Sequence, residues 1–227
     1  MISAFWEMFK PLYAVYTLEG YTENEIAYLK ELFGALPRVL EDYYRAAGRT
    51  KAFHCVQDTW MLPEHFQKWE WLREPDYLIL LNENQGVCQA GIRREDLMLP
   101  DPPVYVTEDD KNWALCAPTT SEFLSAALAY EGVFTFEYNP EEFYWLTEEE
   151  LGLIQSKLTK LPFEMTNWLC GMRITLYSNE PDNMVAVMDC GDWGLHRDGD
   201  LQMLYGAAGE ASYARLMSVL EGVGEAI

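Results

Sequence analysis

The stretch of the chain most able to support chemistry is Asp189-Cys190-Gly191-Asp192-Trp193-Gly194-Leu195-His196-Arg197-Asp198-Gly199-Asp200, which gathers four aspartates, a cysteine and a histidine. A metal site could be built from such ligands. The spacing, however, matches neither an EF-hand loop nor a zinc pattern. The three glycines suit tight turns between short strands, so the reading adopted is a hairpin, with a metal site as the alternative. His54-Cys55 pairs a thiol with a base, but neighbours on a strand point to opposite faces and would not cooperate. A Cys–His pair formed with His65 or His196 stays open, because catalytic groups meet in space. Ser121 and Ser125 sit in no nucleophile elbow, and neither a P-loop nor a G-x-G-x-x-G run occurs. No catalytic residue, cofactor site or metal site is assigned.

Acidic clusters remain. Glu108-Asp109-Asp110 precedes Trp113, while Glu141-Glu142 and Glu148-Glu149-Glu150 flank FYWLT. Carboxylates at a helix start favour the helix dipole, which accounts for Glu148 to Glu150. It does not account for Glu108 to Asp110. An aromatic beside carboxylates fits a protein-binding hot spot. Glu108, Asp109, Asp110 and Trp113, with Glu83 in a nearby turn, are therefore the candidate partner-binding residues. Trp69 and Trp71 read as core or helix-packing residues.

The chain has 227 residues, 37 Asp and Glu against 16 Lys and Arg, and a net charge of −21. A nucleic-acid-binding surface needs a basic patch, and an anionic membrane would repel this chain, so neither is an expected partner. The charge suits a basic protein partner, or simply solubility. Hydrophobic residues make up 49% and aromatics 14%, which implies a folded chain throughout. Five widely spaced cysteines fit reduced, mostly core-packed thiols of a cytoplasmic protein. The opening MISAFWEMFKPLYAVY has neither the basic region nor the cleavage site of a signal peptide, and no stretch approaches the length of a membrane span.

Thr22 and Glu25 form a capping box for a helix over 22–33. Pro37 opens a second helix with Val39, Leu40, Tyr43 and Tyr44 inward and Gly48 as a C′ residue. A short helix follows Met61-Leu62-Pro63. Tyr77 to Leu81 and Val87 to Ile92 make a hairpin around Asn82–Gly86. Asp101-Pro102-Pro103 leads into a strand start or sheet edge at Val104–Val106, and Trp113 to Ala117 is a further strand. Thr119 and Glu122 begin a helix over 120–131, ended by Gly132. Val133 to Tyr138 alternates like a strand. Thr147 and Glu150 cap a helix that Pro162 stops. Strands are expected at 172–178, 184–190 and 201–205, and a last helix at 210–221. Residues 116–133 and 206–223 both end in Glu-Gly-Val after a strand and helix, but share too few identities to be a duplication.

Several short strings, in order, carry a resemblance. Leu36-Pro37 with Tyr44 and Gly48, then LILLNENQGVCQAGI, then DPPVYV, then a Trp followed by TTSEFLSAAL resemble the motifs of the SUKH superfamily over residues 30–131. The first motif departs from the family: Ala46-Ala47-Gly48-Arg49 stands where Asn-Gly-Gly is usual. The resemblance implies an α+β fold, with a central mixed or antiparallel sheet flanked by helices. N-terminal helices would precede it, and a C-terminal strand-helix extension would complete one domain over 1–227. It also implies a non-enzymatic, protein-binding role. The expected function is that of an immunity protein that neutralises a cognate bacterial toxin, with a basic toxin domain as partner. The alternative is a regulatory or scaffolding protein acting on an endogenous partner. A monomer and a homodimer both fit.

Overall fold

A computed structural model describes residues 2–54, 56–73, 76–190 and 201–227. In chain order its elements are α1 (Ile2–Leu12), α2 (Glu23–Phe33), α3 (Arg38–Ala47), β1 (Thr59–Trp60), α4 (Pro63–Lys68), β2 (Tyr77–Asn82), β3 (Gln89–Arg93), β4 (Val104–Thr107), β5 (Ala114–Ala117), α5 (Thr120–Thr135), β6 (Tyr144–Leu146), α6 (Glu148–Lys157), β7 (Thr159–Asn167), a short helical turn α7 (Trp168–Gly171), β8 (Met172–Ser178), β9 (Asn183–Asp189), β10 (Leu201–Ala207), α8 (Glu210–Val219) and β11 (Glu225–Ala226). The fold is α+β. Its strands form two antiparallel sheets, one ordered β1-β2-β3-β4-β5 and one ordered β11-β6-β10-β9-β8-β7. The C-terminal strands thus build a sheet of their own and do not extend the first.

α5 joins the two sheets. Twelve of its sixteen residues are buried, from Thr120 to Val133. A helix apolar all round belongs inside a core. One hydrophobic cluster runs from Trp6 and Phe9 of α1 through α2, α3, the first sheet and α5 to Met184, Ala186 and Met188 of β9. The alternate residues Val185 and Val187 face a second cluster with Ile154 of α6 and Leu216 of α8. β9 is therefore covered on both faces, which explains its unbroken apolar run.

Several local expectations are corrected. Gly132 does not end α5: the helix runs on to Thr135, and a Cβ at Gly132 would stand 2.9 Å from Leu12 Cδ2. The glycine is there for close approach to α1. Tyr138 makes only an isolated bridge to Ala207, so no strand spans 133–138. Gly48 is right-handed (φ −58°), and a Cβ would fall 2.7 Å from Tyr44 Cα and 2.9 Å from Tyr21 Cδ2. Crowding fixes that glycine, not a left-handed turn. Pro162 lies inside β7, an edge strand whose register shifts between Lys160 and Glu164. Proline is tolerated at an edge or a bulge because no ladder donor is needed there. β4 is an inner strand, so its two prolines mark a strand start and not an edge.

The edges are all managed. β1 and β11 have two residues each. The carbonyls of β5 are met by side chains from the end of β7: Thr166 Oγ1 donates to Cys116 O (2.9 Å) and Asn167 Nδ2 to Leu115 O (2.8 Å).

Candidate functional site

Strand pleating sets the outer face of the first sheet. Tyr77 pairs with Arg93, Gly91 with Tyr105, and Gln89 with Thr107, so these residues share one face. Tyr77 and Trp113 stack with ring centroids 3.6 Å apart and planes at 7°. Tyr105 meets Tyr77 edge-on at 6.2 Å. The Arg93 guanidinium lies 4.1 Å from the Tyr105 ring centre, and its Nε donates to the Tyr77 hydroxyl at 3.1 Å. Gly91 sits beneath: a Cβ there would stand 2.9 Å from Leu78 O and 3.3 Å from Tyr77 Cβ.

Trp71 approaches from the other side, on a 3-10 turn over Glu70–Arg73, and is 48% exposed. It stacks on Trp69 at 6.4 Å, and Trp69 stacks on His65 at 4.4 Å. Arg73 holds this turn to α4, donating from Nε to Phe66 O (2.7 Å) and from a terminal nitrogen to Gln67 O (2.5 Å). Trp69 is half-buried, packs against the core and stacks on His65 of α4, in keeping with the core or helix-packing reading, whereas that reading is corrected for Trp71, which is exposed and faces a cleft. That cleft has a volume of about 610 Å³. Trp71, Tyr77 and Trp113 form its apolar walls, and Asp76, Gln89, Asp110 and Lys111 its polar ones.

The hairpin turn between β4 and β5 distributes the candidate acids. Asp110 (φ 61°) faces the cleft and accepts a hydrogen bond from Gln89 Nε2. Asp109 organises the turn itself. Its carboxylate accepts from the backbone N–H of Asn112 (2.7 Å) and Lys111 (3.0 Å) and from Asn112 Nδ2 (2.7 Å). These bonds, the backbone donation from Asn112 first, hold its carboxyl well below the usual carboxylate range. Glu108 accepts from the backbone N–H of Cys170 and so ties the turn to α7. On that side a smaller cleft of about 320 Å³ opens between the turn and Asn167 and Gly171. Asn167, Leu169 and Cys170 all have positive φ there. Glu83 stands apart and is 7% exposed; its Oε2 accepts the N–H of Gln85 at 2.8 Å within its own hairpin. Of the five residues singled out from sequence, the fold brings Asp110 and Trp113 together in one cleft. It places Glu108 and Asp109 on the turn's other side and buries Glu83. Sequence reasoning missed Trp71, Asp76 and Tyr77. The available signal was the polar-aromatic alternation Tyr77, Gln89, Arg93 and Tyr105 at outward strand positions.

A second polar feature is fully interior. Asp58 and Glu131 are 5% and 0% exposed. The Asp58 backbone N–H donates to Glu131 Oε2 (3.0 Å), and Asp58 Oδ1 accepts from the Asn84 N–H (3.1 Å). Burial, then the Asp58 charge, pushes the Glu131 carboxyl well above its usual range. Burial likewise raises Asp58 from 3.8 to about 6, against hydrogen bonds from Glu131 and Asn84 that lower it. Glu131 is thus the protonated member, and the pair fastens α5 to the turn between β2 and β3.

The remaining chemical candidates fare differently. His54 closes a 3-10 turn over Lys51–His54 and not a strand; burial lowers its pKa to about 4, and its Nε2 lies 3.4 Å from the Tyr43 hydroxyl. Cys55 and residues 191–200 lie outside the described residues, so most of the Asp/Cys/His stretch is not placed. Among the described residues no His/Cys/Asp/Glu group is arranged to hold a metal, and no helix is long and apolar enough to cross a membrane. Cys88, Cys116 and Cys190 are buried and Cys170 is exposed. Comparison with protein-family models, curated proteins and solved structures gives no match for this chain.

Proposed function

We propose that this is a non-catalytic binding protein that captures another protein at the outer face of its five-stranded sheet. The partner is a basic toxin domain, which it neutralises in the cytoplasm. The observation that carries this is the cleft: the exposed Trp71 and the half-buried Trp113 and Tyr77 set beside Asp76 and Asp110. Interface hot spots are rich in Trp and Tyr, and rims of opposite charge steer encounter. The net charge of −21 extends that steering over the whole surface. The resemblance of residues 30–131 to the SUKH superfamily supports the immunity form of the reading.

The test is capture from the native lysate by the immobilised protein and by its Trp71→Ala, Trp113→Ala double variant. The expected result is one basic protein, encoded beside this chain, bound one-to-one at moderate salt and weakened at least about thirtyfold by the double variant, as for a hot spot worth about 2 kcal/mol. Equal retention by both proteins would refute the cleft as the interface. A weak, salt-sensitive partner encoded elsewhere would replace the toxin with an endogenous target.

A further inference from the structure

We infer that the cleft between Trp71 and the Tyr77–Trp113 stack receives an arginine side chain of the partner, an assignment that rests on the binding function proposed above. The molecule already shows how its aromatic surface treats cations. Arg93 lies over Tyr105 at 4.1 Å, Arg94 over Phe33 at 4.8 Å, Arg49 over Tyr21 at 5.3 Å and Lys68 over Trp69 at 5.5 Å. Among the described residues, no cation of the chain lies over Trp71 or Trp113, the two indoles of the cleft. Indole faces are the strongest of the aromatic cation acceptors.

The counter-charges are present as well. Asp76 is exposed and its carboxylate has no ion pair or hydrogen bond among the described residues. Among the described residues Asp110 accepts only from Gln89 Nε2, which leaves lone pairs facing the cleft. Gln89 Oε1 is shielded from solvent and has no donor among the described residues. Two carboxylates beside flat aromatic walls fit a planar group with several N–H donors. A guanidinium supplies five in a plane, stacks on indole and is less strongly hydrated than an ammonium. A hydrophobic side chain would leave these acceptors without donors, and an anion would meet two carboxylates. Lys111, also on the rim, offsets one of those charges and weakens the site for a foreign cation.

The experiment titrates the full chain with acetyl-Gly-Arg-Gly-amide and with its citrulline, lysine and phenylalanine counterparts. Binding is followed through the eight tryptophan indole N–H signals in two-dimensional NMR. Single Trp71→Phe and Trp113→Phe variants assign the two cleft signals. The expected result is a saturable shift of Trp71 and Trp113, with the buried Trp168 unmoved. Arginine should be favoured over citrulline by at least about tenfold, the combined scale of a cation–π contact and exposed ion pairs. Lysine should fall between them, and Lys111→Gln should tighten the arginine peptide. Equal binding of arginine and citrulline, preference for phenylalanine, or shifts confined to other indoles would overturn the assignment. A peptide failure alongside a partner that still needs Trp71 and Trp113 removes the guanidinium and leaves the binding function standing. A partner indifferent to both tryptophans removes the function instead.

Discussion

Replacing Asp58 by asparagine should change the pH dependence of stability. A carboxyl whose folded pKa is raised stabilises the fold below its unfolded value and loses that contribution as pH rises towards the folded one. For Asp58 the window runs from 3.8 to about 6. Two pH units at about 1.4 kcal/mol each make a loss of about 3 kcal/mol in the native protein. Asparagine keeps an oxygen for the Asn84 N–H and has nothing to ionise. It also relieves Glu131 of a neighbouring charge, which acts in the same direction. The variant should therefore be equal to or about 1 kcal/mol weaker than the native chain at pH 4, the scale of one imperfect hydrogen bond. Between pH 4 and pH 7 it should gain about 3 kcal/mol relative to it. Urea unfolding at four pH values across that range measures the difference. Parallel stability curves for the two proteins would refute the raised Asp58 pKa and the burial that causes it.

Other substitutions test the packing. Gly48→Ala restricts the unfolded chain, a gain of about 1 kcal/mol at most, but forces a methyl into Tyr44 and Tyr21, so a net loss of about 1–2 kcal/mol is expected in thermal unfolding; stabilisation would show the contact to be slack. Gly91→Val places a branched side chain 2.9 Å from Leu78 O and against Tyr77, and should cost both stability and partner affinity, read by unfolding and by calorimetry. Thr147→Ala removes the hydroxyl that accepts the Glu150 N–H at 3.2 Å and donates to Glu150 Oε2 at 2.8 Å, and should cost about 1 kcal/mol in urea unfolding.

Local signals were legible where local chemistry decides structure. The capping boxes at Thr22 and Thr147 and the turn after Asn82 are written in short strings, and the described elements follow them. The apolar run of β9 reads as a buried strand because both of its faces are covered. Boundaries set by tertiary contact were not legible. Gly132 looks like a helix stop until α1 is placed against it, and Pro162 looks like a breaker until β7 is known to be an edge. The cleft was half legible. Asp110 and Trp113 stand out as acid beside aromatic, but Trp71 and Tyr77 join them only when the 3-10 turn and the strand come together in space. The Asp58–Glu131 pair joins residues 73 positions apart, and the register of α5 against the hairpin alone reveals it.

The treatment of the sheet borders constrains how this protein can recognise anything. Many small domains bind by lending an open strand, so that the ligand's main chain completes the ladder and its side chains matter little. Here the two-residue borders β1 and β11, the proline in β7 and the side chains of Thr166 and Asn167 over β5 leave scant main chain to lend. Recognition must then be carried by side chains projecting from a face. Such an interface tolerates drift in most of its positions but can be redirected to a new ligand by one or two exchanges at its anchors. The same borders also deny neighbouring copies a template for fibre growth.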